Sequence, residues 1–172
     1  MSHRTFNDWL KLSWDGLLKI QKGIMVFTSL SIIVAISLGA ILRYVFKTDI
    51  KGLEEILVVL AFWMYFMGGS YGSYEKSHIT AEIISTMVKK PQILGPLKLF
   101  SSFMTTALCL VVTYFAANFF LWSLAKGGTT TALKIPLIIS QSSIFIGFVL
   151  MSLYTVIHFI KDLAAYRKGE IA

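Results

Sequence analysis

The sequence predicts an all-α membrane protein, with four transmembrane helices and one or two amphipathic interfacial helices in a single domain over residues 1–172. Three observations predict it. Gly23 to Leu42, Ile56 to Tyr74, Leu99 to Ala125 and Ile135 to Ile160 contain no Asp, Glu, Lys or Arg. Each run is close to or above the roughly 20 apolar residues that cross a bilayer as a helix. The chain is 56% hydrophobic with mean hydropathy +0.72. The connections are short, which leaves no room for a soluble domain and makes one compact bundle the expected arrangement.

The N-terminal residues do not read as a cleaved signal peptide, because Trp9, Trp14, Asp8 and Asp15 interrupt any apolar core. Residues 5–20 are amphipathic: Phe6, Trp9, Leu10, Leu17 and Ile20 share a face. This segment is expected in the interface plane, with Trp9 and Trp14 at headgroup depth and Lys11 and Lys19 toward anionic lipid. The first span is expected over about 23–45. It closes on Arg43, a cation that the helix dipole favours at a C-terminus. A short turn over Lys47 to Lys51 follows.

The second span is expected over 54–74. Glu54 and Glu55 suit a helix N-terminus and are placed to pair with Lys51 or Arg43. Glu54, Ala61, Gly68 and Gly72 are spaced by seven, seven and four, so they share one face. Gly68 and Gly72 form a GxxxG that permits close helix approach. Trp63 and Tyr65 lie mid-span, away from the usual aromatic belts, which points to protein contact. Residues 77–90 form a second amphipathic segment, with Ser77 as a candidate N-cap, His78 beside it and Lys89 and Lys90 at its end. Pro91 favours a stop there, and Gly95-Pro96 are expected to turn the chain into a third span over 98–125. A Gly-Gly-Thr loop, flexible by composition, precedes a fourth span over 135–160, with Pro136 in its first turn and Ser143 and Gly147 at close-packing spacing.

The formal charge is +7, and its distribution reads as topology. Eleven Lys and Arg fall on the side of both termini and the second connection, and five on the other. The positive-inside rule therefore places both termini in the cytoplasm. No nucleic-acid partner is implied.

Several chemistries are excluded. A single cysteine, Cys109, allows no internal disulfide and no multi-cysteine metal site. His3, His78 and His158 do not make the paired intraspan ligands of a bis-haem cytochrome. Glu54 and Glu55 point about 100° apart on a helix and do not flank one reacting bond. The glycine loop lacks a following GK[ST], so it is no phosphate cradle. No catalytic residue, substrate-binding residue, metal site or cofactor is read. Two rival classes are a four-helix membrane transferase, which needs a polar cluster with Arg inside the bundle, and a small multidrug exporter, which needs a carboxylate within a span. The uncharged runs supply neither.

From Arg43 the chain runs RYVF, KTDIKGLEE, then FWMYFMGGSYGSYEKSHITAEII. An Arg-Tyr pair ends span one, two acids open span two, Trp63 and Gly68 sit within it and Ser-His-Ile follows it. With the N-terminal segment, the four spans and the length, this pattern resembles the small membrane (Q-type) subunit of tripartite ATP-independent periplasmic transporters, most closely the sialic-acid branch. The resemblance implies an accessory, non-enzymatic subunit of a sodium-coupled importer in the bacterial inner membrane. Its implied partners are a large membrane subunit and a periplasmic binding protein that delivers a C4-dicarboxylate, sialic acid or other carboxylate. It makes Arg43, Glu54, Glu55, Ala61, Trp63, Gly68, Gly72 and His78 candidates for the partner interface or for structural roles, and Trp9, Trp14, Lys11, Lys19, Lys89 and Lys90 candidates for lipid contact.

Overall fold

The structure, a computed structural model, describes residues 2–48, 50–75 and 91–167; in its first and third helices the side chains are described from Trp14 and Gly95 onward. The expected 77–90 helix, with His78, Lys89 and Lys90, lies outside the described residues. Of Trp9 and Lys11 only the helical backbone is described.

Four helices account for almost all of this: α1 (Ser2–Tyr44), α2 (Leu53–Tyr74), α3 (Pro91–Lys126) and α4 (Ile138–Arg167). All four are long and apolar enough to cross a membrane. The fold class is therefore the one the uncharged runs predict. The boundaries differ in instructive ways. α1 is one unbroken helix of 43 residues, about 65 Å long at 1.5 Å per residue. That exceeds the ~45 Å of a bilayer with its headgroups. Residues 5–20 are thus continuous with the first span in one helix. No proline interrupts them, and Gly16 and Gly23 are accommodated within the helix.

Pro91 opens α3 instead of only stopping what precedes it, and α3 runs through Pro96. A proline at the first helical position loses no bond, since that N–H has no partner in any helix. Pro136 stands outside α4. It bridges to Thr129 across the loop between α3 and α4, and its carbonyl accepts from the Ile139 N–H at 3.1 Å as the helix begins.

The helices are not a closed bundle. Among the described residues α1 packs on α2, α2 on α4, and α4 on α3. The result is a row with α2 and α4 at its centre. Paired contacts give the directions. Gln21 meets Ser70 and Leu53 lies over Gly39, so α1 and α2 are antiparallel. Phe66 lies on Gly147 and Met151 on Gly69, so α2 and α4 are parallel. Ser102 meets Asp162 and Thr113 meets Ser152, so α3 and α4 are antiparallel.

Burial follows the logic of lipid as solvent. Hydrocarbon is as apolar as Leu and does not drive apolar helix faces together. Phe27, Leu30, Val34, Leu108 and Phe115 are accordingly exposed. The buried set is dominated by small polar residues, with Ser70, Ser73, Ser140, Ser143, Ser152 and Thr155 at the contacts between helices, beside Met67, Ala116 and Tyr154.

Candidate functional site: polar ties between helices and an open helix face

The chemistry of the row lies in the hydrogen bonds that cross between its helices. At the end carrying the N-terminus, Tyr154 of α4 donates to Gln21 Oε1 of α1 at 2.8 Å. Gln21 Nε2 donates to Ser70 Oγ of α2 at 2.9 Å, and the Ser70 hydroxyl donates to the Met67 carbonyl at 2.9 Å. All three side chains are essentially fully buried. This chain of bonds ties α1 to α4 across α2. Trp14 packs edge-on against the Tyr154 ring at 5.2 Å, and Tyr74 meets Tyr154 at 5.5 Å. His158 Nε2 lies 3.0 Å from the Tyr74 carbonyl. Lys22 sits over the Tyr71 ring at 5.0 Å, a cation–π contact.

Trp14 is half-buried and packs on protein, because the helix carrying it continues along α2 and α4. Lys19 is exposed on the same helix. Gln21, Ser70 and Tyr154 are the residues that sequence reasoning missed. Gln21 stands among charged residues just before an apolar run and reads as surface. Ser70 reads as one of many small residues in a span.

At the opposite end, Glu55 in the first turn of α2 holds the loop between α3 and α4. Its carboxylate accepts from the Ala132 and Leu133 backbone N–H groups at 2.7 and 2.8 Å. The loop, expected to be flexible, is itself a hydrogen-bonded hairpin: Thr130 N–H donates to the Ile135 carbonyl at 2.9 Å and Leu137 N–H to the Gly128 carbonyl at 2.9 Å. Leu133 packs over Gly52, whose positive φ of 86° begins α2. Glu55 is thus engaged by backbone amides, a partner set that no charge count reveals. Glu54 and Arg43 are exposed at the same end.

Mid-membrane, the two aromatics of α2 part company. Trp63 donates its indole N–H to the Ile139 carbonyl of α4 at 3.1 Å. Tyr65 points outward and is 71% exposed. The close approach of α2 and α4 rests on Gly147, where a Cβ would stand 2.7 Å from the Phe66 Cβ. A Cβ at Gly68 would meet nothing within 4 Å among the described residues. Ala61 and Gly72 are half-buried. By helical position Glu54, Ala61, Gly68 and Gly72 share a face with Tyr65, different from the faces that Ser70 and Tyr71 present to α1 and that Phe66 and Gly69 present to α4.

α3 joins α4 through hydroxyls. Thr113 Oγ1 lies 2.6 Å from Ser152 Oγ and 3.0 Å from the Phe148 carbonyl. Thr106 donates toward the Thr155 carbonyl at 3.3 Å, and Ser102 donates to Asp162 at 3.1 Å. Among the described residues no three His, Cys, Asp or Glu come together as a metal site. The arrangement is a set of static ties and open faces, without a cluster of ionisable groups within the spans.

A family model described as tripartite ATP-independent periplasmic transporters, DctQ component, matches residues 32–165. No curated protein matches the chain. The chain belongs to the DctQ family and is a small membrane subunit of a tripartite transporter, a transport component and not an enzyme. Its four apolar helices make it a multi-pass membrane protein. Membership implies association with a large membrane subunit and a binding protein.

Proposed function

We propose that this subunit is the static, accessory part of a sodium-coupled importer of organic anions, and that it assembles with the large transport subunit and stabilises it. One observation carries the reading: the spans hold no Asp, Glu, Lys or Arg through their uncharged runs, while directional bonds fasten each helix to a neighbour. A coupled ion pathway needs ionisable or coordinating groups at membrane depth. Here the buried polar groups that join the helices, such as Gln21, Ser70, Thr113 and Ser152, are spent on one another. Transport chemistry then belongs to the partner, and so does the choice of substrate. Carboxylates, sialic acid among them, are the class the sequence pattern favours.

The positive-inside distribution supports an orientation in the bacterial inner membrane with both termini cytoplasmic. The open side of α2, through Glu54, Ala61, Gly68 and Gly72, is the proposed approach for a helix of the large subunit. Arg43 is proposed to pair near the outer rim, with Glu54 or with a charge on that subunit. Lys19 faces lipid headgroups in this reading, joined by Trp9, Lys11, Lys89 and Lys90.

The test is reconstitution. This subunit alone, in proteoliposomes under a sodium gradient, is expected to move no organic anion. The large subunit with its binding protein is expected to lose assembly or uptake when this subunit is withheld. Sodium-driven uptake by this polypeptide alone would overturn the reading.

A further inference from the structure

The outward face of α3 carries two polar side chains where only lipid would be expected. Tyr114 is 67% exposed and Asn118 is exposed as well. They are four residues apart, so they stand one above the other on the helix. Measured from the middle of the Leu99–Ala125 run, they lie about 3 and 9 Å from the bilayer centre at 1.5 Å per residue. The hydrocarbon half-thickness is about 15 Å. Neither side chain makes a hydrogen bond among the described residues. The threonines of this helix behave differently: Thr105, Thr106 and Thr113 each donate to a carbonyl within hydrogen-bond distance. An amide brings two donors and an acceptor, and its short side chain cannot reach the headgroups from that depth. Hydrocarbon offers it nothing.

We infer that the Tyr114–Asn118 face of α3 is a docking surface for a transmembrane helix of the large subunit, one that presents a hydrogen-bonding side chain or an opened backbone carbonyl at this depth. The inference rests on the accessory-subunit reading and adds a second contact face, distinct from the open side of α2. The occupant is a different chain and not a second copy of this one. Symmetric pairing through Asn118 needs small flanking residues for close approach. Its neighbours one turn away, Tyr114, Phe115, Leu121 and Trp122, are all exposed and all bulky. Such a rim suits a partner whose own surface is recessed there.

The experiment uses the whole complex in native membranes. A photoreactive benzophenone side chain is placed at position 118, and the tagged subunit is purified after irradiation. The expected product is a covalent adduct with the large subunit. Separately, Asn118→Leu and Tyr114→Phe are expected to lower retention of the large subunit about threefold, the change that an average interhelical side-chain bond in a membrane represents. Adducts with lipid or a second copy only, while the large subunit still co-purifies, would overturn the docking surface and leave the accessory reading intact. So would unchanged or improved retention in Asn118→Leu, since a lipid-facing Leu is better tolerated than Asn. Failure of the unaltered subunit to retain any large membrane protein would overturn the accessory reading itself, and this surface with it.

Discussion

Tyr154→Phe isolates the bond that joins α1 to α4. The change removes one hydroxyl and keeps the ring against Trp14 and Tyr74. Gln21 then keeps its bond to Ser70 and loses the donor on its Oε1. Gln21 is 1% exposed, so no water replaces the hydroxyl. A buried acceptor left unmet costs about 1–3 kcal/mol, and interhelical bonds measured in membranes reach at most about 1.7 kcal/mol. The expected destabilisation is therefore about 1–2 kcal/mol. Gln21→Leu strands the Tyr154 hydroxyl instead and is expected to cost a similar amount. The double variant leaves an apolar meeting of Leu and Phe with no stranded oxygen at that contact. It is expected to cost no more than the worse single change. The assay is reversible unfolding of the purified subunit in mixed micelles, read as a double-mutant cycle. Additivity within about 0.5 kcal/mol would refute the chain of bonds as a coupled unit.

Gly147→Ala forces a Cβ to within 2.7 Å of Phe66 and 3.1 Å of its backbone oxygen; overpacking of this kind costs about 1–3 kcal/mol, and the same unfolding assay should show it. Gly68→Ala meets open space and should leave the isolated subunit unchanged, whereas Gly68→Leu should weaken retention of the large subunit if the open side of α2 is covered by it. Glu55→Gln replaces one accepting oxygen with a donor facing a donor, so hydrogen exchange of the Ala132 and Leu133 amides should accelerate while exchange along α4 stays the same.

What the sequence makes legible is set by which solvent each residue meets. Runs free of charge over 19 or more residues have one stable home, so the four spans and the membrane class follow directly from Gly23, Ile56, Leu99 and Ile135 onward. Helix order does not follow. In water an apolar stripe marks the face that packs, but in lipid Phe27 and Leu108 are apolar because they face outward. The packing faces are marked instead by Ser, Thr and Gly. These are common in membrane helices whether or not they pack, as Gly68 and Gly147 illustrate: one meets open space and the other backbone. Ser143 with Gly147 was readable because the pair has close-packing spacing. The Gln21–Tyr154 bond joins residues 133 apart in sequence, and no local pattern announces it. Glu55 was readable as a helix-opening acid. Its bond to two loop amides was not, because backbone donors carry no sequence signature.

The row has a mechanical consequence. Among the described residues α3 packs along α4 alone, and α1 packs along α2 and reaches α4 only through Trp14 and Gln21; the faces left over are wide. Isolated in lipid, such a row has no hydrophobic force to close it, so its shape depends on directional ties at intervals: Gln21–Tyr154 at one end, Trp63 and Gly147 in the middle, Glu55 at the other. Ties at both ends and the middle prevent α2 and α4 from sliding along each other, since any shift along their axes breaks bonds at every level together. They do less to resist splaying of α1 and α3, whose ties lie along one edge each. A partner packed against the open side of α2 and the Tyr114–Asn118 face of α3 would supply the missing restraint on both flanks.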